Sequence, residues 1–196
     1  MWITSTRDSL NNSKMKKILL ILTSVITLSS QTMAYEEANY EVVKENRNYE
    51  IRKYSDRLVI ETNSTQGNGF RKLFNYISGN NEKKEEIKMT VPVTQEIKDG
   101  NMTMQFYLPS KFNKDNAPKP SNPEIEILTI EGGYYAAIKY SGRSSDKNFL
   151  KNKDILEQEL KQDKIKILGP PIRASYNSPF TLPILKRNEV MYRVDL

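Results

Sequence analysis

Histidine and cysteine are both absent from this 196-residue chain. Without histidine there is no Ser-His-Asp or Cys-His catalysis, no histidine zinc site and no imidazole to ligate a metal. Without cysteine there is no disulfide framework, no thiol nucleophile and no N-terminal cysteine to carry a lipid. Tryptophan occurs once, as Trp2. Glycine is sparse, and no Gly-rich phosphate loop is formed. Ser141-Gly142 lacks a base and does not make a nucleophile elbow. The charged run Glu82-Lys83-Lys84-Glu85-Glu86 reads as a solvated loop or helix end. With no paired acid–base constellation either, the chain is not expected to be an enzyme.

What is present begins with a leader. Lys14, Lys16 and Lys17 flank Met15, Ile18 to Leu28 is a short and mostly apolar run, and Thr32-Met33-Ala34 follows with small residues at both ends. A basic start, a short apolar stretch and a small-x-small site mark a secretory signal peptide. The run is shorter than the roughly 20 residues that span a bilayer. Residues 1–34 are therefore expected to be a signal peptide cleaved after Ala34, with translation starting at Met15, because Met1 to Lys14 lies awkwardly ahead of the basic segment. The mature domain is 35–196, periplasmic or secreted, with no stable membrane span and a monomer favoured. Losing Arg7, Lys14, Lys16, Lys17 and Asp8 with the leader lowers the formal charge from +6 to +3. The basic excess is thus a weak ground for nucleic-acid binding, and no nucleic-acid partner is expected.

From Tyr40 onward the pattern is rich in strands. Tyr49 to Tyr54 and Leu58 to Thr62 alternate on either side of Ser55-Asp56, which predicts a hairpin. Phe70, Leu73, Phe74 and Ile77 recur at helical spacing, with Arg71, Lys72 and Asn75 facing away and Gly79 placed to end the helix. Ile87, Met89, Val91 and Val93 share one face of a predicted strand, and Pro92 demotes that strand to an edge or a bulge. Met102, Met104, Phe106 and Leu108 line the next strand, across an Asp99-Gly100 hairpin turn. After a polar connection over 109–123 the order repeats. A strand begins at Ile125, breaks at Gly132-Gly133 and resumes to Tyr140. A helix then runs from Ser144-Ser145-Asp146 to about Lys161, with Phe149, Leu156 and Leu160 on one face. A strand from Lys164, a proline-rich crossover and a final strand from Glu189 to Val194 close the chain. Strand pair, helix, strand pair occurs twice. The expected class is α+β: a distorted antiparallel β-barrel built from a duplicated strand-helix-strand unit, with two helices packed outside.

Five segments also resemble, in order, the SOUL haem-binding protein family. They are Tyr40-Glu41-Val42-Val43-Lys44 with Tyr49-Glu50-Ile51-Arg52-Lys53-Tyr54; the helix from Gly69 to Asn81; Lys88-Met89-Thr90-Val91-Pro92-Val93; Tyr140-Ser141-Gly142-Arg143; and the tail from Gly169-Pro170-Pro171 through Ala174-Ser175-Tyr176-Asn177 to Leu185-Lys186-Arg187-Asn188-Glu189-Val190. Together they cover nearly all of Tyr40 to Val194. The resemblance implies a barrel with two outer helices and non-covalent binding of haem or a related tetrapyrrole. Some members have been proposed to use an axial histidine, and this chain departs from that pattern because it has none.

A tetrapyrrole is a flat apolar disc with two carboxylates, so its site needs apolar walls and cations at the rim. Met89 is the candidate iron ligand, since a thioether can ligate haem iron and adapts to irregular apolar surfaces. The same residue also reads as core by its alternation with Ile87 and Val91. Phe70, Leu73, Phe74 and Ile77 are candidates for one wall, although their spacing reads first as a helix face buried on a sheet. Lys88, Arg71 and Arg143 are candidate carboxylate partners, and Tyr176 in the stiff tail reads as structural. The alternatives are a binding module for other amphipathic small molecules and an interaction protein without haem.

Overall fold

Alternation along the strands sorts the side chains onto two kinds of face, and this sorting builds the molecule. The computed structural model describes residues 35–98 and 100–196. The expectations for the leader, for Met15 and for Ala34 lie outside the described residues. The strands are β1 (Glu36–Glu37), β2 (Tyr40–Glu45), β3 (Glu50–Tyr54), β4 (Arg57–Asn63), β5 (Thr90–Val91), β6 (Val93–Lys98), β7 (Asn101–Tyr107), β8 (Ile125–Ile130), β9 (Gly133–Tyr140), β10 (Lys166–Ile167), β11 (Ile172–Ser175) and β12 (Asn188–Asp195). The helices are α1 (Gly69–Ile77) and α2 (Asp146–Gln162). One curled antiparallel sheet runs in the order β2-β3-β9-β12-β11-β6-β7-β4-β8, with β10 paired to β12 and a small parallel pair β1-β5 beside it. The fold is α+β with a curled, half-barrel sheet and two outer helices, as the sequence predicts.

The outer face of the first half carries Ile60 of β4, Met104 and Phe106 of β7 and Ile125 of β8, and α1 covers them with Leu73, Tyr76 and Ile77. The outer face of the second half carries Ile51, Ala136, Ile138, Val190 and Tyr192, and α2 covers them with Leu156 and Leu160. Each fully buried apolar side chain of this size contributes about 1.5–3 kcal/mol. The second helix starts where the sequence places it: Ser145 is the N-cap, and its hydroxyl accepts from the amide of Asn148. The predicted pairing of the strands on either side of Asp99-Gly100 also forms, β6 with β7, ending at Lys98 and Asn101. Among the described residues no helix is long and apolar enough to cross a membrane.

Three expectations are corrected. The predicted hairpin of β3 with β4 does not exist: β3 pairs with β2 and β9, and β4 with β7 and β8. Their apolar faces belong to different cores, Ile51 beneath α2 and Ile60 beneath α1, so the chain crosses between the halves at Ser55-Asp56. That crossing is held by Gly132, whose amide donates to the Asp56 carboxylate at 2.7 Å. A Cβ at Gly132 would stand 2.6 Å from the carbonyl oxygen of Tyr54. Second, the strand predicted over Ile87 to Val93 is shorter. Ile87 and Met89 precede β5, and the cis Val91–Pro92 peptide separates β5 from β6. Ile87, Met89 and Val93 pack with the α1 cluster, whereas Val91 packs with residues of the inner face. Third, α1 buries Gly69, Leu73, Tyr76 and Ile77, a face rotated from the predicted one.

Candidate functional site

The rotation of α1 follows from Tyr76. Its ring is fully buried, and its hydroxyl donates to the Pro118 carbonyl at 2.7 Å, tying the connection 109–123 to the helix. Burial, with the Glu85 charge adding, pushes that hydroxyl up to about 12. With Tyr76 turned inward, Phe70 and Phe74 turn outward, 42% and 47% exposed. The two rings lie nearly parallel, 5.9 Å apart at 12°, and Phe70 also meets Phe106 edge-on at 5.2 Å. α1 therefore divides the four apolar candidates. Leu73 and Ile77 are packed core, while Phe70 and Phe74 form an exposed aromatic face.

The other candidates distribute as follows. Met89 is partly buried against the α1 cluster that contains Leu73 and Ile77. Lys88 beside it and Arg71 on α1 are exposed. Arg143 is exposed in the loop leading into α2, where its carbonyl accepts from the Asn148 side chain at 2.9 Å. The helix that follows packs on the other half of the sheet. The structure thus brings Leu73, Ile77 and Met89 into one cluster, and no contact joins Arg143 to them among the described residues.

The inner face of the curl holds a feature that the pattern-based reading misses. Arg52 of β3 and Glu189 of β12 are both fully buried. The guanidinium donates to the two carboxylate oxygens at 2.7 and 2.9 Å. The same carboxylate accepts from the Tyr176 hydroxyl at 2.7 Å and from Nε of Arg187 at 2.9 Å. Glu50 pairs with Arg52 as well, and Arg187 lies 3.7 Å over the Tyr176 ring while holding Glu37 through two further bonds. Burial alone raises the Glu189 carboxyl, yet the Arg52 hydrogen bonds and charge, with help from Tyr176 and Arg187, hold it below the usual glutamate range. Tyr176, burdened by burial and by the adjacent carboxylate, is pushed well above the ordinary tyrosine range. Tyr176 is structural, as read from the sequence. The missed signal is two opposite charges, Arg52 and Glu189, each on the inward face of its strand, in step with Tyr54 and Met191.

Beside this network the inner face opens into a cleft of about 440 Å³. Glu61, Glu96 and Gln105 line one end, with the Gln105 amide donating to Glu61 at 2.6 Å. Tyr107, Tyr135, Leu128, Ile130, Ile172 and Met191 form its walls. A second, more apolar groove of about 340 Å³ lies outside, between the β6–β7 hairpin and α2, and includes Ile97, Met102, Leu150 and Arg173. Neither is lined by Met89 or by the candidates on α1.

Comparison with known proteins places the fold and the lineage. The domain of the family given as SOUL heme-binding protein matches residues 35–193. The mouse (Mus musculus) protein named Heme-binding protein 2 is 32% identical over 161 residues, covering 72% of this chain and 76% of its own length. Its human (Homo sapiens) namesake is 31% identical over 158 residues, with the same coverage of 72% and 76%. Among solved structures, the EcmrR C-terminal domain superposes with a TM-score of 0.58 at 11% identity, over 80% of this chain and 98% of that one. A hydrolase from Listeria innocua does so with a TM-score of 0.58 at 8% identity, over 78% and 94%. At such identities the two structures share the fold alone. The family match spans both halves of the sheet and both helices, and the chain belongs to the SOUL haem-binding protein family.

Proposed function

We propose that this is an exported protein that binds haem or a related tetrapyrrole non-covalently and without catalysis, on the aromatic face of α1. The observation that carries the reading is the exposed, parallel pair Phe70 and Phe74 on a helix whose remaining large apolar side chains are buried. An exposed apolar patch beside cations suits a flat ligand with carboxylates at its rim. The names of the mouse and human relatives support the choice of ligand, and the leader pattern in residues 14–34 supports export.

The residues present fit the group in kind. Phe70 and Phe74 supply a wall for the macrocycle. Arg71 and Lys88 supply exposed cations for its carboxylates, and Met89 supplies a thioether, an established ligand for haem iron. Arg143 is left out, because its loop leads to the opposite half. When bound, haem would contribute a redox-active iron, while the protein contributes position, an apolar wall and charge compensation. Absorbance titration with haemin tests the proposal. A saturable one-to-one change in the Soret band is expected, and a linear, non-saturating response would overturn it.

A further inference from the structure

The inner cleft is lined by a guanidinium with two donors that meet no acceptor. Arg57, the first residue of β4, is boxed by three tyrosine rings, 4.2 Å from the centre of Tyr54, 4.8 Å from Tyr135 and 5.5 Å from Tyr107. Its Nε and Nη2 are buried and have no hydrogen-bond partner. Arg52, a few residues earlier, shows the contrast: its guanidinium meets Glu189, Glu50 and the Tyr54 hydroxyl. The aromatic box satisfies the flat faces of the Arg57 guanidinium. It leaves the edges, and Nε with one Nη is an edge that accepts a carboxylate through two parallel bonds. A buried charged donor without an acceptor is unfavourable, and Arg57 lines the cleft, so its unpartnered edge is a place for an anion.

The rest of the cleft narrows the class of anion. Leu128, Ile130, Ile172 and Met191 provide apolar wall. Glu61 lies four residues along β4 from Arg57, roughly 13 Å at strand rise, and shares its end of the cleft with Glu96. At the mouth, Arg193 is already turned to Glu131 at 3.8 Å and to the Gly132 carbonyl at 3.2 Å. One carboxylate is welcome at Arg57, whereas the far end already holds two carboxylates, Glu61 and Glu96, bridged by the Gln105 amide. The geometry points to a second ligand site, separate from the α1 face: the inner cleft takes a monocarboxylic acid with an apolar tail, its carboxylate received by the Nε–Nη2 edge of Arg57.

Dodecanoate is a suitable probe, titrated below its micelle concentration into the ¹⁵N-labelled full chain. The Nε–H resonance of Arg57 should move downfield and saturate at one equivalent, with calorimetry giving the same stoichiometry. Dodecanol and dodecanedioate should each bind at least tenfold more weakly, the first lacking the charge and the second carrying one too many. Arg57→Lys keeps the charge but removes the edge and should also lose at least tenfold. Absence of saturation, saturation without movement of the Arg57 resonance, or equal binding by folded Arg57→Lys would each overturn the assignment. The resonance shift decides the matter in the unmodified protein even if the variant does not fold.

Discussion

Arg52 and Glu189 stand 137 positions apart in the chain and meet in a two-point ion pair with neither side chain exposed. The pair joins β3 to β12 across β9, which lies between them in the sheet. It also gathers segments that carry the family resemblance: Arg52 from the Tyr49–Tyr54 run, Tyr176 from the proline-rich tail, and Arg187 with Glu189 from its exit. These residues build the inner scaffold of the sheet.

Removing one partner of a buried ion pair strands the other, at about 3–5 kcal/mol. Arg52→Met and Glu189→Gln should each lose that much in urea unfolding. The double replacement should lose clearly less than the two single losses combined, because the two charges that face each other are removed together. Additive losses would show that the two residues are not coupled.

The same carboxylate sets an acid limit. Its folded pKa lies below the unfolded glutamate value of about 4.3, so its stabilisation is complete above that value and is lost as pH falls through the lower, folded one. Glu157, raised by burial but held down more strongly by Lys153 and Tyr192, acts in the same direction. Unfolding free energy should be nearly level from pH 7 to 5 and fall below about pH 4. Glu189→Gln should flatten part of that fall, and an unchanged slope would contradict the assignment.

Gly132 makes a local prediction. A methyl group there meets the Tyr54 carbonyl and the Ser55 backbone, neither of which can swing aside. Gly132→Ala should cost about 1–3 kcal/mol by overpacking. Gly169→Ala, with nothing within 4 Å of the added carbon, should be nearly neutral and serves as the control in the same denaturation series.

Short-range signals were the legible ones. Ser145 as N-cap, the β6–β7 pairing, the Gly132-Gly133 break and the Leu156/Leu160 face of α2 each depend on residues a few positions apart. The pairing of β3 was hidden because Ile51 and Ile60 look alike in sequence yet belong to different cores. In α1, Phe70-Leu73-Phe74-Ile77 and Gly69-Leu73-Tyr76-Ile77 both fit a helical stripe. The choice between them rests on the Tyr76 hydroxyl reaching Pro118, 42 residues away. The Arg57 box and the Arg52–Glu189 pair assemble from different strands, which a periodicity read along one segment cannot bring together.

Met89 separates two roles. As an iron ligand, Met89→Ala should shift the Soret band of the haem complex and weaken binding. As packing alone, the substitution should lower stability, by up to about 2–5 kcal/mol for a buried site, and leave the spectrum unchanged. Recording both on one preparation distinguishes them, and metal-free protoporphyrin binding measures what the macrocycle contributes without iron.

The most direct test of the account compares haemin binding by the unmodified protein, by Phe70→Ala/Phe74→Ala and by Leu73→Ala. If the exposed aromatic pair is the tetrapyrrole face, the double variant should stay folded and lose at least tenfold in affinity. Leu73→Ala should lose about 2–5 kcal/mol of stability and keep its haemin affinity while folded. Equal haemin affinity in the unmodified protein and the Phe70/Phe74 variant would contradict the placement of the ligand on α1.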